Sequence, residues 1–347
     1  MKRNIHIFLF YSRFYHHVPD MNISVTGSTG HIGNNLCRIL AGLGHRVRVL
    51  VRNDHRALEG LECEKVYGDL SDPSSLQPLV SGADVVFHLA ATIAVNGTSW
   101  GKLAAVNVGG TRNIIRAAHE AGHPRLIHFS SIHALEQKPY DIPLDETRDL
   151  ALDDPMPYSR TKARAEQLVL EAASEGMDAL VLNPTSVIGP HDYKPSLMGT
   201  FLWRAARNRL PLLVPGGYDF VDVRDVALAA VEAIHRGKRG ERYLLAGRWV
   251  PVRELAKLAQ KATPGTRVPG CAPLWAARAG LPLIRLWSKI RGEQVLYTRE
   301  ALRTIETGHR NICAEKAKKE LGFTARPLEE TVADTLEWFM HHFKESK

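Results

Sequence analysis

Cysteine is scarce in this chain: 4 residues in 347, standing far apart at Cys37, Cys63, Cys271 and Cys313. No CxxC pair is present, so a disulfide scaffold or a zinc-finger framework is excluded, and a reduced cytoplasmic protein explains the usage. No apolar run reaches the roughly 20 residues that cross a bilayer. Low-complexity tracts and internal repeats are also absent. The net charge of +8 comes from 45 basic against 37 acidic residues. These charges are scattered, with no basic stripe interleaved with aromatics, so nucleic acid is not an expected partner. The opening "MKRNIHIFLFYSRFYHHVPD" superficially resembles a signal peptide, but its apolar core is short, Arg13 interrupts it, and no small-x-small cleavage site follows. Residues 1–20 are therefore read as a nonessential extension before Met21, with a short membrane-touching arm as the alternative.

What is present is a regular alternation. From Met21, "NISVTG", "HRVRVLVR", "DVVFHLA", "RLIHFSS" and "DALVLNP" read as nearly continuous apolar strands. Between them lie helical stretches such as "HIGNNLCRILAGLG", "SSLQPLVSG", "VNVGGTRNIIRAAHEAG" and "YSRTKARAEQLVLEAASEG". Strands of this kind are buried on both faces, which calls for βαβ units and a parallel sheet. The expected fold class is α/β, a Rossmann-type doubly wound parallel sheet with a smaller, discontinuous C-terminal lobe. The dinucleotide-binding part is placed at 21–186, with 218–247 returning to it. Residues 187–217 and 248–347 form the substrate lobe.

Gly27, Gly30 and Gly33 in "TGSTGHIG" fall between the first strand and the first helix. Gly27 permits the turn, Gly30 lets backbone approach a pyrophosphate, and Gly33 allows close helix–sheet packing, with the free helix amides holding phosphates. About 20 residues on, where an NAD site carries an acidic residue for the ribose, this chain has Arg52, with Arg56 nearby. A guanidinium suits a 2′-phosphate, so NADP is the expected cofactor. Asp54 keeps NAD open as the alternative.

"PYSRTK" places Tyr158 four residues before Lys162. Such a pair arises by chance roughly 0.4 times in a chain of this composition, so its surroundings must decide. "FSS" ends the fifth strand and turns Ser130 and Ser131 toward the cleft beyond the strand ends. A hydride exchanged with a nicotinamide needs a matching proton. Free tyrosine, with a pKa near 10, is a poor base until a lysine ammonium favours its phenolate. Ser131 then donates to the substrate oxygen, Lys162 reaches the ribose, and the Asn107 amide in "VNVGGT" orders a relay water.

With these pieces in place the chain resembles the extended short-chain dehydrogenases/reductases, the NAD-dependent epimerase/dehydratase family. The motifs in order are "TGSTGHIG", "GDL", "HLAA", "VNVGGT", "FSS", "YSRTK" and "NPTSVIGP", with "FVDVRDVA" and "AKKELGFTARPLEETVADTLEWF" following. Within the family it is most similar to dihydroflavonol-reductase-like and 3β-hydroxysteroid-dehydrogenase-like members, and to bacterial hopanoid-associated epimerase-like proteins. The resemblance implies Ser131, Tyr158 and Lys162 as catalytic residues. It also implies that Thr29, His31, Ile32, Asp69, Leu70, Leu89, Ala90, Ala91 and Pro184 lie along the cofactor, Asp69 near the adenine, and that the protein is a homodimer. Dehydratases of the family follow the catalytic hydroxyl with an Asp-Glu pair. Ile132 and His133 stand here instead, so dehydration is not expected, and His133 is read as a loop histidine facing solvent.

"HEAGH" (119–123) matches the metalloprotease pattern HExxH, but Gly122 ends the helix and Pro124 follows, so the two histidines lose a common face. No metal is expected. In the substrate lobe, "PLWAARAGLPLIRLWSKIRG" is read as helices broken by Pro282, either an apolar lid or membrane-surface contact, or a helix pair packed on the lobe itself. Asn183 and Arg224 are placed near the substrate. The expected function is reduction of a ketone or oxidation of a secondary alcohol, on a small and lipophilic substrate. The alternative is a nucleotide-sugar epimerase with tightly held NAD.

Overall fold

The computed structural model describes residues 20–93, 99–210, 212–291 and 295–343, with only the backbone of 283–291. The N-terminal extension read above therefore lies outside the described residues, apart from its last residue. Seven parallel strands form the main sheet in the order β3-β2-β1-β4-β5-β6-β9. They are β1 (Asn22–Thr26), β2 (Arg46–Val51), β3 (Glu64–Tyr67), β4 (Val85–His88), β5 (Arg125–Phe129), β6 (Ala179–Pro184) and β9 (Arg242–Leu245). One face packs on helices His31–Gly42 and Val223–Arg236 through Val25, Leu36, Leu40, Val49, Ile127 and Ala230. The other packs on helices Gly110–Glu120 and Pro157–Ser174 through Val86, Ile114, Leu126, Val169 and Val181. Each fully buried leucine of this kind contributes about 2 kcal/mol.

From β1 the chain winds outward through β2 and β3, then returns to lay β4 on the other side of β1. That reversal opens a crevice beyond the carboxyl ends of β1 and β4, where α/β sheets bind ligands. The glycine turn and the loop after β4 meet there.

Two details depart from the sequence reading. Of the segment 218–247, the helix Val223–Arg236 and β9 join the main body, but β8 (Gly217–Asp222) belongs to a separate three-stranded sheet with β7 (Ser186–Ile188) and β10 (Arg248–Pro251). β8 is the central strand of that sheet, paired with β10 on one side and β7 on the other, and is buried apart from Tyr218. The helices expected on either side of Pro282 are one helix, Leu274–Arg291, with Pro282 inside it. The second lobe packs around Phe201, Leu255, Val332 and Leu336, and among the described residues no helix is long and apolar enough to cross a membrane.

Candidate functional site

The glycine turn is built as its sequence requires. Gly27 has φ +73°, and a Cβ there would lie 2.6 Å from the Ala90 nitrogen. A Cβ on Gly33 would lie 2.3 Å from the Gly27 carbonyl oxygen. Both positions exclude side chains, which brings the helix start against the strand end. The Gly30 N–H donates to the Gly27 carbonyl at 3.0 Å, and Gly30 itself is exposed. The helix His31–Gly42 begins without a side-chain cap or an acidic residue in its first turn. Free amides and the positive end of the helix dipole therefore face the crevice, a fitting seat for a pyrophosphate. His31 does not join them. Its Nε2 lies 3.0 Å from the Pro190 carbonyl and 3.2 Å from that of Gly189, pinning the loop after β7 to this helix.

At the end of β2, Arg56 pairs with Asp54 through Nε and Nη2 at 3.0 and 2.9 Å, and Lys194 reaches the same carboxylate at 3.2 Å. Arg56 and Lys194 thus hold the Asp54 carboxyl well below its usual range. The exposed Arg52 guanidinium lies 3.7 Å from Asp69. Asp69 also accepts from the Ser71 N–H and hydroxyl, at 2.9 and 2.7 Å, with its pKa lowered chiefly by that hydroxyl. Arg52 and Asp69 thus stand together at the ends of β2 and β3, and Arg56 is committed elsewhere.

Between β1 and β4 runs a chain of buried hydrogen bonds. The Ala90 N–H donates to Thr26 Oγ1 at 3.2 Å, and that hydroxyl lies 2.8 Å from His88 Nδ1. His88 Nε2 lies 3.0 Å from Thr111 Oγ1, which itself donates to the Asn107 carbonyl at 2.6 Å. Since Thr111 spends its proton on Asn107, His88 must donate from Nε2 and accept at Nδ1. Burial, with Lys162 adding to it, lowers the His88 pKa to about 3, so the ring is neutral. His128 faces it in register on β5, with ring centroids 5.2 Å apart, and burial likewise pushes its pKa well down.

Asn107 lies in a π-helical turn, Ala105–Gly109. Its Oδ1 accepts from the Thr92 N–H at 2.7 Å, and its Nδ2 donates to the Thr92 carbonyl and to Thr161 Oγ1, each at 3.0 Å. Both amide hydrogens are thus engaged in joining the loop after β4 to the helix Pro157–Ser174.

That helix carries Tyr158 and Lys162 one turn apart, with Pro157 at its start setting its entry. Lys162 Nζ is buried and donates to the Phe129 carbonyl at 2.6 Å, at the last residue of β5. Ser131 stands two residues further on, its Oγ accepting from the His133 N–H at 3.2 Å. Tyr158, Ser131 and Lys162 therefore meet at the end of β5. Burial raises the Tyr158 pKa, and the Ser131 hydroxyl opposes it. Burial lowers the Lys162 pKa to about 8, and the Glu166 charge opposes it.

Beneath the three lies Glu166, fully buried. Its Oε2 accepts from Asn183 Nδ2 at 2.7 Å, and Arg242 Nε stands 3.2 Å from its Oε1. Asn183 Nδ2 also donates to the Ser131 carbonyl at 3.2 Å. Sequence reasoning missed Glu166, although Tyr158, Lys162 and Glu166 recur at helical spacing on one face.

Three sequence placements are corrected. Asn183 is fully buried and serves Glu166 and Ser131. Arg224 is bound by Asp222 and Asp334, with Nη2 at 2.6 Å and Nη1 at 2.7 Å, so its guanidinium is committed within the protein. His133 is half-buried in the turn Ile132–Ala134, its pKa lowered by burial against the pull of Asp154, and does not simply face solvent. In "HEAGH" the helix ends at Glu120 and His123 has φ +62°, as expected, yet the His119 and His123 rings stay in edge contact, with centroids 4.3 Å apart.

Leu89 and Ala90 line the crevice beside Gly27, Ala91 follows them exposed, and Pro184 closes β6 in the interior. Thr29 and Ile32 are half-buried in the glycine turn and the first helical turn, and Leu70 packs against Gly110.

Comparison with known proteins agrees with this architecture. The chain is 33% identical over 325 residues to sterol demethylase protein B of Methylococcus capsulatus, covering 92% of this chain and 98% of that protein. It is 32% identical over 317 residues to the 2-alkyl-3-oxoalkanoate reductase of Stenotrophomonas maltophilia, covering 87% and 94%. The crystal structure of gox2253 superposes with a TM-score of 0.80 at 33% identity, covering 93% of this chain and 99% of that one. The family model for NAD-dependent epimerases/dehydratases matches residues 23–246, which include the glycine turn, Tyr158 and Lys162. The chain belongs to the NAD-dependent epimerase/dehydratase family.

Proposed function

We propose that this protein is an NADP-preferring oxidoreductase that exchanges a hydride with a lipophilic ketone or the corresponding secondary alcohol, with Tyr158 moving the proton. The observation that carries this reading is the meeting of Tyr158, Ser131 and buried Lys162 at the end of β5, beside the glycine turn. Gly27, Gly30 and Gly33, with the uncapped helix start, would hold the pyrophosphate, and Arg52 would face a 2′-phosphate. The nicotinamide supplies the hydride when bound.

The remaining work falls to the chain. Ser131 receives the His133 N–H and so keeps its own proton to donate to the substrate oxygen. Tyr158, with its pKa raised by burial, is protonated at neutral pH and acts as the acid for reduction. As hydride reaches the carbonyl carbon, the C=O electron pair moves to oxygen, which takes the tyrosine proton. The Lys162 cation stabilises the phenolate left behind. Asn107, tied to Thr92 and Thr161, fixes the helix that aims Tyr158. The lipophilic substrate is supported by the names of the two relatives, a sterol demethylase protein and a 2-alkyl-3-oxoalkanoate reductase. The exposed Trp275 and Leu212 of the second lobe are in keeping with it.

Purified protein should turn over NADPH faster than NADH with a panel of 3-keto sterols and 2-alkyl-3-oxo acids. Tyr158→Phe should lower kcat by about a thousandfold. NAD retained through purification, with nucleotide sugars epimerised and no net cofactor turnover, would replace this reading with an epimerase.

A further inference from the structure

The loop that carries the chain from β7 into the second lobe is strapped along the first helix of the dinucleotide-binding part. His31, Asn35 and Arg38 recur at helical spacing on one face of the helix His31–Gly42. His31 Nε2 lies 3.0 Å from the Pro190 carbonyl, Asn35 Nδ2 donates to that same carbonyl at 3.1 Å, and Arg38 Nη2 donates to Tyr193 Oη at 3.1 Å. The Tyr193 ring in turn meets Trp338 edge to face, with centroids 5.0 Å apart. On the other side of Lys194, the buried Asp192 accepts from the Ser196 N–H at 2.8 Å. Lys194 is therefore an exposed side chain on a fixed backbone, and it reaches out of the lobe to Asp54, just beyond β2.

Both oxygens of Asp54 are engaged. Oδ1 accepts from the Arg56 N–H at 3.2 Å and from its Nε at 3.0 Å, while Oδ2 faces Arg56 Nη2 at 2.9 Å and Lys194 Nζ at 3.2 Å. Arg52, two residues before Asp54, faces Asp69 at 3.7 Å. In these contacts each arginine is matched by one carboxylate, and Lys194 is the surplus cation. Matched pairs attract a further anion weakly, and an unmatched Asp54 would repel it. We propose that Lys194 is a cofactor-specificity residue supplied by the second lobe: by neutralising Asp54 it gives the ends of β2 and β3 the net positive charge that admits a 2′-phosphate. The inference rests on the NADP reading above and adds to it a residue from outside the dinucleotide-binding part. Asp54 stands close to where an acidic residue would take the ribose hydroxyls of NAD. With both oxygens engaged, it is not free to do so. The strap also explains why a lysine of the other lobe can serve here, because it is bound to the same helix whose start would hold the pyrophosphate.

The test is calorimetric titration of the full-length protein with NADP⁺ and with NAD⁺, at about 50 mM salt, where exposed charges are little screened. Lys194→Gln should lower the ratio of NADP⁺ to NAD⁺ affinity by about fivefold, chiefly through NADP⁺. Adding Asp54→Asn to Lys194→Gln should return the ratio to within about twofold of the native one, since it removes the charge that the lysine offsets. An unchanged or raised ratio in Lys194→Gln overturns the proposal, and so does a double variant whose ratio stays as low as that of Lys194→Gln alone. A native chain that binds NAD⁺ more tightly than NADP⁺ defeats the NADP reading, whereas Lys194 is decided by the change of ratio on substitution. A native chain that binds no NADP⁺ overturns both.

Discussion

Two buried clusters of charge are built differently. At the root of the second lobe, Arg224 and Arg326 face Asp222, Asp225 and Asp334, with Arg326 Nη2 2.7 Å from Asp225 and Arg224 bidentate on Asp222. Burial would raise the Asp222 carboxyl, but Arg224 and Arg326 overcome it and hold it low. Every guanidinium there has a carboxylate, and the cluster ties β8 and the following helix to the C-terminal helix Leu328–His342. At the end of β5, the buried Lys162 donates to the Phe129 carbonyl, and Arg242 pairs with the Glu166 carboxylate one helical turn on. A satisfied network locks elements together, whereas one with a surplus cation polarises whatever lies above it.

The contrast is broken most strongly by removing the central cation of each cluster. Lys162→Met should lower kcat by about a thousandfold while leaving the melting temperature near that of the native chain, since Glu166 keeps Arg242. Equal loss of folding in this variant would show the site to be merely structural. Arg224→Met should do the reverse. Leaving Asp222 with only Arg326, 3.5 Å away, and Asp334 without its cation should cost about 3–5 kcal/mol in chemical denaturation. The fraction still folded should keep its kcat, measured per active site.

Much of this was legible beforehand, and the residues say why. Doubly buried strands must be apolar runs, so β1, β4, β5 and β6 announced themselves, and the sterics at Gly27 and Gly33 left no other residue for the turn. Tyr158 and Lys162 were visible because helical spacing is local. Glu166 shared that spacing and was passed over, whereas Arg242 was not legible, since it reaches Glu166 from β9 and depends on how the sheet closes. The same distance misled the reading of Arg224, whose partner Asp334 lies 110 residues on. "YDFVD" looked like a strand and is one, but nothing in five residues tells which sheet it joins.

Smaller effects sharpen the comparison at its edges. Arg52→Ser should reduce the preference for NADPH over NADH by about tenfold in kcat/KM, because one charge-assisted contact to the 2′-phosphate is lost. An unchanged ratio would remove Arg52 from the cofactor site. The buried histidines give the weakest signal. His88 has a folded pKa of about 3 against an ordinary 6.5, so the unfolded chain binds a proton that the folded chain refuses between those values. Stability contributed by neutral His88 is full above pH 6.5 and falls as pH drops toward 3. His88→Gln, which keeps one donor and one acceptor, should flatten the acid slope of unfolding free energy by about 1.4 kcal/mol per pH unit.

The central claim is that the end of β5 matches a hydride with the Tyr158 proton. Single-turnover transfer from 4-deuterated NADPH to a 3-keto substrate tests it directly, with the native chain and Tyr158→Phe compared at pH 7. The account predicts deuterium on the product carbinol carbon for the native chain, and a rate about a thousandfold slower for Tyr158→Phe with cofactor affinity unchanged. Equal rates for the two proteins, or a product without deuterium, would contradict it.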